Sequence, residues 1–229
     1  MPNITLIYGP TGCSRVPHIA LEEIGAPFTP LSKRIFDAAE REELLKYNPV
    51  GQVPVLLVDG KPLTENVAIL MWLHKTFPEA ELLPRASDPF EEAQHLSRLS
   101  FCSSGLHPLM RQIGIFPTIN DNPDSFARTR EMGIQTMRNR INIVEGWLKE
   151  SQWILGDTWS IADAYYYWVF MRLITFDVDM TAFPLFAAHY QRVRERPSVQ
   201  RVIAREKEVF ENWWGSDPPA PFGFKIRFE

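Results

Sequence analysis

Between residue 64 and about residue 210 of this 229-residue chain there is no strand signal. Ile4 to Tyr8 is an apolar, β-favouring run that ends in a Gly/Pro turn. Arg15 to Ile24 has a helical pattern closed by Gly25, with Pro17 in the first turn, where a missing N–H is tolerated. Phe28 to Leu31 reads as a second short strand and Asp37 to Lys46 as a polar helix. Val53 to Val58 and Lys61 to Thr64 are a third and fourth strand, joined by the hairpin signal Asp59-Gly60. Glu65 to Phe77 carries Val67, Leu70, Met71, Leu73 and His74 at helical spacing. The order is β-α-β-α-β-β-α, a βαβ unit followed by a hairpin and a covering helix.

From there to about Phe210 only helical patterns occur. Residues 79–88, rich in proline, form a linker between a first domain (1–78) and a helical second domain (89–210). Within the latter, Phe90 to Gly114 reads as one helix interrupted near Gly105 and Pro108, and 115–125 as a loop. Ala127 to Ser151 is long and amphipathic. Ser160 and Asp163 form a capping box ahead of the apolar run Ala164 to Ile174, which has the composition of a buried central helix. Phe183–Glu195 and Ser198–Phe210 complete the set. Residues 211–229 are an extension: 213–221 read as non-helical, and Phe222, Phe224, Ile226 and Phe228 alternate with polar residues and glycine as in an extended segment with one apolar face.

Length and composition fit one large or two ordinary globular domains. A formal net charge of -4 gives no electrostatic case for nucleic acid or an anionic membrane as a partner. No run is apolar enough to cross a bilayer, and no signal peptide is visible, so a cytoplasmic location is expected. Two distant cysteines make neither a disulfide framework nor a zinc site, so no metal is expected.

The chemistry concentrates at Cys13. It follows a strand and a turn and stands at the start of a helix, where unpaired N–H groups and the dipole favour a thiolate. Forty positions on, Val53-Pro54 is an X-Pro step suited to a cis bond at the entrance to a strand. The alternative for Cys13 is a small, inert packing residue. Cys102, His18, Asp163 and the Tyr165–Trp168 cluster read as packing or capping residues, and Met110, Arg111 and Phe116 carry no assignment.

Four blocks, Gly12–Leu21, Asn48–Leu56, Leu63–Ile69 and Gly156–Tyr165, resemble those of bacterial glutathione S-transferases, closest to the beta class. The resemblance covers residues 3 to about 210. It implies a thioredoxin-like first domain, an all-helical second domain contributing the electrophile pocket, and a homodimer. It makes glutathione a co-substrate and a small hydrophobic electrophile its partner in a detoxifying transfer. Cys13 then stands at the catalytic position, with Ser14 the neighbouring hydroxyl that many transferases use to hold the thiolate. Val53, before Pro54, offers its backbone to the cysteinyl unit of glutathione, and Gln52 touches the peptide. Glu65 takes the γ-glutamyl ammonium; Asn66, where the family usually has a small hydroxyl residue or glycine, takes the carboxylate with the helix N-terminus. Lys33 pairs with the glycine carboxylate, and His107 faces the cleft and polarises sulfur or electrophile, although Pro108 replaces the lysine that often follows. Val16 replaces a second cysteine, which points to monothiol exchange with glutathione. The rival functions are a non-catalytic glutathione-fold scaffold, or a glutathione-dependent isomerase, ether lyase or dehalogenase.

Overall fold

The computed structural model describes residues 1–115, 122–215 and 228. By internal contacts the described residues divide into two units: Met1–Leu82 with 196–215 and Phe228, and Leu83–Glu195. The helix over 197–214, expected from the sequence in the helical domain, groups by its contacts with the first unit.

In the first unit, β1 (Ile4–Tyr8), β2 (Thr29–Ser32), β3 (Val55–Val58) and β4 (Lys61–Thr64) form one sheet in the order β2-β1-β3-β4. β1 and β2 run parallel, as the intervening crossover helix α1 (Arg15–Ile24) requires; β1–β3 and β3–β4 are antiparallel. The hairpin between β3 and β4 turns on Asp59 and Gly60, both at positive φ, so the two-residue signal acts through backbone twist. α2 (Ala38–Leu45) is capped by Asp37, whose carboxylate accepts the N–H groups of Ala39 and Glu40. Its Leu44 joins Ile7, Val53 and Val55 in a small core on one face of the sheet. α3 (Asn66–Thr76) packs against α1, and Tyr8 of β1 packs on His18 of α1. β3 starts two residues later than its apolar run, because Pro54 has no N–H to donate to a ladder.

α8 (Pro197–Trp214) lies along α1. Trp213 and Trp214 are helical, contrary to the expectation from the Pro/Gly-rich stretch that follows; the helix stops only at Gly215, at φ 63. The alternating segment expected from Phe222 lies outside the described residues, apart from Phe228.

The second unit is built on α4 (Pro89–Ser100), α5 (Pro123–Glu150), α6 (Ile161–Thr175) and α7 (Pro184–Arg194). α6 is buried almost throughout, as its apolar surface demands. Asp163 does more than cap it. One carboxylate oxygen accepts from Ser160 N–H and Oγ, and the other accepts from Ile154 N–H and faces His189 Nε2 at 2.8 Å. After α4 the backbone widens into two π-helical segments, Phe101–Leu106 and Arg111–Ile115, instead of an interrupted α-helix. Pro108 has no N–H to offer the preceding turn, and the His107 N–H bonds Cys102 O instead. Arginines of α5 supply the missing donors: Arg140 reaches Gly105 O, and Arg130 reaches Ile113 O and Phe176 O. Gly114 is required at its place, since a Cβ there would sit 2.3 Å from the Phe176 ring.

Candidate active site

Residues 9–14 form a tight turn that delivers Cys13 to the N-terminus of α1. Ser14 Oγ donates to Gly9 O and accepts from Gly9 N–H, both at 3.1 Å, and the side chain is fully buried. The hydroxyl is committed to the turn in both directions, so Ser14 closes the loop that carries Cys13 and does not present a donor outward. Cys13 is partly accessible, and its Sγ donates to Val53 O at 3.4 Å. The thiol and the cis-proline loop, distant in sequence, therefore meet in space.

Asn48 shapes that loop from behind: its amide donates to Gln52 O and its oxygen accepts from Val50 N–H. Gln52 itself is exposed. Asn66 is buried and spends its amide on Cys13 O at 3.3 Å, leaving Oδ1 buried without a partner. The expected outward donor is thus a tie between the α3 N-terminus and the Cys13 backbone. Just before it, Glu65 is exposed and held at φ 70, a strained setting for a residue with a Cβ, and such strain gathers at ligand clamps. Lys33 reaches Glu43 at 2.5 Å. Lys33's hydrogen bond and charge hold the Glu43 carboxyl below its ordinary range.

Beneath Cys13 lies a group that the sequence reading did not single out. Glu206 of α8 is fully buried, and its Oε2 accepts from Thr11 N–H at 2.8 Å and from Arg15 Nε and Nη2 at 3.0 and 2.5 Å. Arg15 is itself 1% exposed. Thr11 sits at φ 62, so a charge-assisted bond anchors the strained corner of the turn. The signal was present: Glu206 interrupts the apolar stripe Val199, Val202, Ile203, Phe210 at helical spacing. What the sequence lacked was its partner.

His107 lies in the second unit, between the two π-helical segments. Its Nδ1 is 2.7 Å from Tyr165 Oη, and its ring meets Trp168 edge-on at 4.5 Å between centroids. Burial, with the positive charges of Arg111 and Arg172, pushes its pKa down to about 4, so the imidazole is neutral at neutral pH. Cys102 is fully buried, which pushes its thiol well up and makes it inert, as expected.

A four-stranded sheet that sets a thiol at a helix N-terminus against a cis-proline loop, followed in the same chain by an all-helical unit, defines a two-part thiol-handling protein. Residues 5–75 match the N-terminal domain, and residues 106–197 the C-terminal domain, of glutathione S-transferase. The chain is 31% identical over 211 residues to glutathione S-transferase GstA of Escherichia coli O157:H7, covering 88% of this chain and 98% of that protein. A solved sphingomonad glutathione S-transferase complexed with glutathione superposes with a TM-score of 0.78 at 29% identity, over 89% of this chain and 98% of that one. The beta-class enzyme of Sphingomonas chungbukensis gives 0.77 at 30%, over 88% and 98%. The chain belongs to the glutathione S-transferase family, with a thioredoxin-like N-terminal domain and a helical C-terminal domain, and its structural neighbours include beta-class bacterial enzymes.

Proposed function

We propose that this transferase binds glutathione on its first unit and joins the thiolate to a hydrophobic electrophile. The observation that carries this is the meeting of Cys13, the Val53-Pro54 loop and the N-terminus of α3 within that unit. Glutathione lies extended, its cysteinyl unit paired with the Val53 backbone as an added strand would be. The γ-glutamyl carboxylate takes the N-terminal N–H groups of α3, and Glu65 takes the ammonium. Asn66 serves by holding Cys13, not by donating to the ligand. Lys33 turns from Glu43 to the glycine carboxylate, and Gln52 borders the peptide.

The glutathione thiol loses its proton to solvent, favoured by the dipole of α1. Its sulfur forms the new bond to carbon while the leaving group departs with the old bonding pair. Cys13 adds a second activity. Its thiolate attacks a mixed disulfide and becomes glutathionylated, expelling the other thiolate. A second glutathione thiolate then restores Cys13 and releases glutathione disulfide, so electrons balance with no external oxidant. Ser14, occupied on both sides, has no part in either step beyond the turn. Neutral His107, its Nδ1 2.7 Å from Tyr165 Oη, is read as the group that polarises sulfur or electrophile. No step of this reading uses a metal. We place it in the cytoplasm as a homodimer in detoxification; sedimentation of the purified chain tests the dimer.

Calorimetric titration with glutathione tests the first half: one site per chain is expected, with affinity reduced about fivefold in Lys33→Ala, the range of a partly exposed ion pair. A folded protein that binds no glutathione would sink the proposal. Cys13→Ala should keep most of this binding and lose thiol transfer at least a hundredfold, because no other accessible thiol stands beside Val53. Full thiol-transferase activity in that variant would remove Cys13 from the mechanism.

A further inference from the structure

The helical unit carries a cavity that the transferase chemistry does not use. It measures about 390 Å³ and lies between the C-terminal end of α5, the loop through Asp157 and one face of α7. That volume suits a molecule of amino-acid to dipeptide size. Its walls carry both signs of charge: Lys149 and Glu150 close α5, Asp157 stands on the loop and Arg192 on α7. Among the described residues, none of these four pairs with an opposite charge. Arg192 is held only in part. Its Nη2 donates to Gln152 O at 2.7 Å, and its guanidinium lies over the Trp153 ring at 5.1 Å. Its Nε is buried and has no hydrogen-bond partner, an unmet donor on a permanent cation. The loop is fixed, because Trp153 and Gly156 exchange both backbone hydrogen bonds. Leu185 and Ala188, three apart on α7, and Leu148 of α5 give the cavity an apolar side.

We infer that this cavity binds a small zwitterion with an aliphatic side chain, an amino acid or dipeptide, its carboxylate on Arg192 and Lys149 and its ammonium on Asp157 and Glu150. The inference goes beyond the transferase function and does not rest on it. Opposite charges that line one cavity without reaching each other leave a gap, and a molecule carrying both charges closes it. A simple anion would also meet two carboxylates there, and a simple cation two basic groups, so neither is favoured. Arg192 offers a planar fork that matches a carboxylate and fixes that end of the ligand. α5 ends at Glu150, where the negative end of the helix dipole favours the ammonium. The aliphatic side chain lies on Leu148, Leu185 and Ala188 and leaves water there. Gln152 and Arg192 lie 40 positions apart, so no local pattern in the sequence joins the loop to α7.

The test is calorimetry of the full chain with three probes: leucyl-leucine, its C-terminal amide and its N-acetyl derivative. The free dipeptide should bind one per chain, and each blocked form about tenfold more weakly, the worth of one charge-assisted bond. In Arg192→Gln the dipeptide and its amide should become nearly equal, and in Asp157→Asn the dipeptide and its acetyl derivative should. Lys149→Gln, at an exposed position, repeats the first comparison should Arg192→Gln not fold. Each titration is repeated with excess S-methylglutathione, which fills the proposed glutathione site without reacting. Dipeptide binding that persists is expected. Equal affinity of the three forms, no binding below about 10 mM, or displacement by S-methylglutathione would each overturn the inference. A protein that binds the dipeptide but not S-methylglutathione keeps this cavity and loses the transferase function, so the two fail separately.

Discussion

His18 shows how a single side chain ties this fold to pH. It is fully buried beneath Tyr8, its Nε2 accepts from Arg205 at 2.7 Å, and its Nδ1 has no hydrogen bond. Burial, and then the Arg205 charge, push its pKa down to about 3. A protonated imidazole could not accept from a guanidinium. In the unfolded chain the ring titrates near its ordinary value of about 6.5, so below that the unfolded state binds the extra proton and the native state does not. The stability is therefore complete above about pH 6.5 and is lost as pH falls toward 3. At pH 5 the loss from this residue is about 2 kcal/mol. His107, lowered to about 4 and only half-buried, adds a smaller loss in the same direction. Urea midpoints at pH 7.5 and pH 5 should separate by correspondingly more in wild type than in His18→Gln, whose amide oxygen can still accept from Arg205. Identical pH dependence in the two proteins would show that His18 is not held neutral. The sequence alone correctly placed His18 as a packing residue on the first helix; it could not show that a cation from residue 205 would fix its charge state.

At the scale of elements, the pairing of α1 with α8 controls the Cys13 turn. Glu206 binds Thr11 and Arg15 through one oxygen, while its other oxygen is buried without a partner. Replacing one member of such a buried pair strands the other charge, at about 3–5 kcal/mol. Glu206→Gln keeps the shape but loses the charge. It should lower the thermal midpoint by about 6–20 °C, taking roughly 2–4 °C per kcal/mol for a chain of this size. It should also change the pH profile of Cys13 alkylation, because the turn that aims the thiol loses its charged acceptor. A variant that is merely less stable, with an unaltered alkylation profile, would make Glu206 a stability residue only. Local signals made α1, the hairpin, Gly25 and the Ser160 box legible, since each is decided within a few residues. The Arg15–Glu206 pair spans 191 positions, and no periodicity links its halves. The π-helical segments were illegible for a related reason: proline at 108 breaks the regular ladder, but the arginines that satisfy the freed carbonyls come from α5, starting well beyond it.

The whole chain is organised so that its last described helix completes its first unit. α8 meets α1 through Arg196 and Ser198 on Glu23, Arg201 and Arg205 on Glu22, and Glu206 on Arg15. The exposed pairs in this set contribute little each, so the weight falls on the buried pair and on Val199, Val202 and Ile203. Residues 1–82 alone would take Glu206 away from Arg15 and leave the α1 surface uncovered, in a length at which one small core is marginal. The helical unit, by contrast, has its own core in α6. A chain ending at Glu195 should therefore keep a helical circular-dichroism signal from residues 83–195 while losing glutathione binding, and its Cys13 should react with a thiol reagent at nearly its rate in urea. Adding back residues 196–214 as a peptide should slow that reaction. If the shortened chain instead binds glutathione with unchanged affinity and shields Cys13 as the full chain does, the first unit stands without α8. The buried Arg15–Glu206 pair would then be incidental to the site above it.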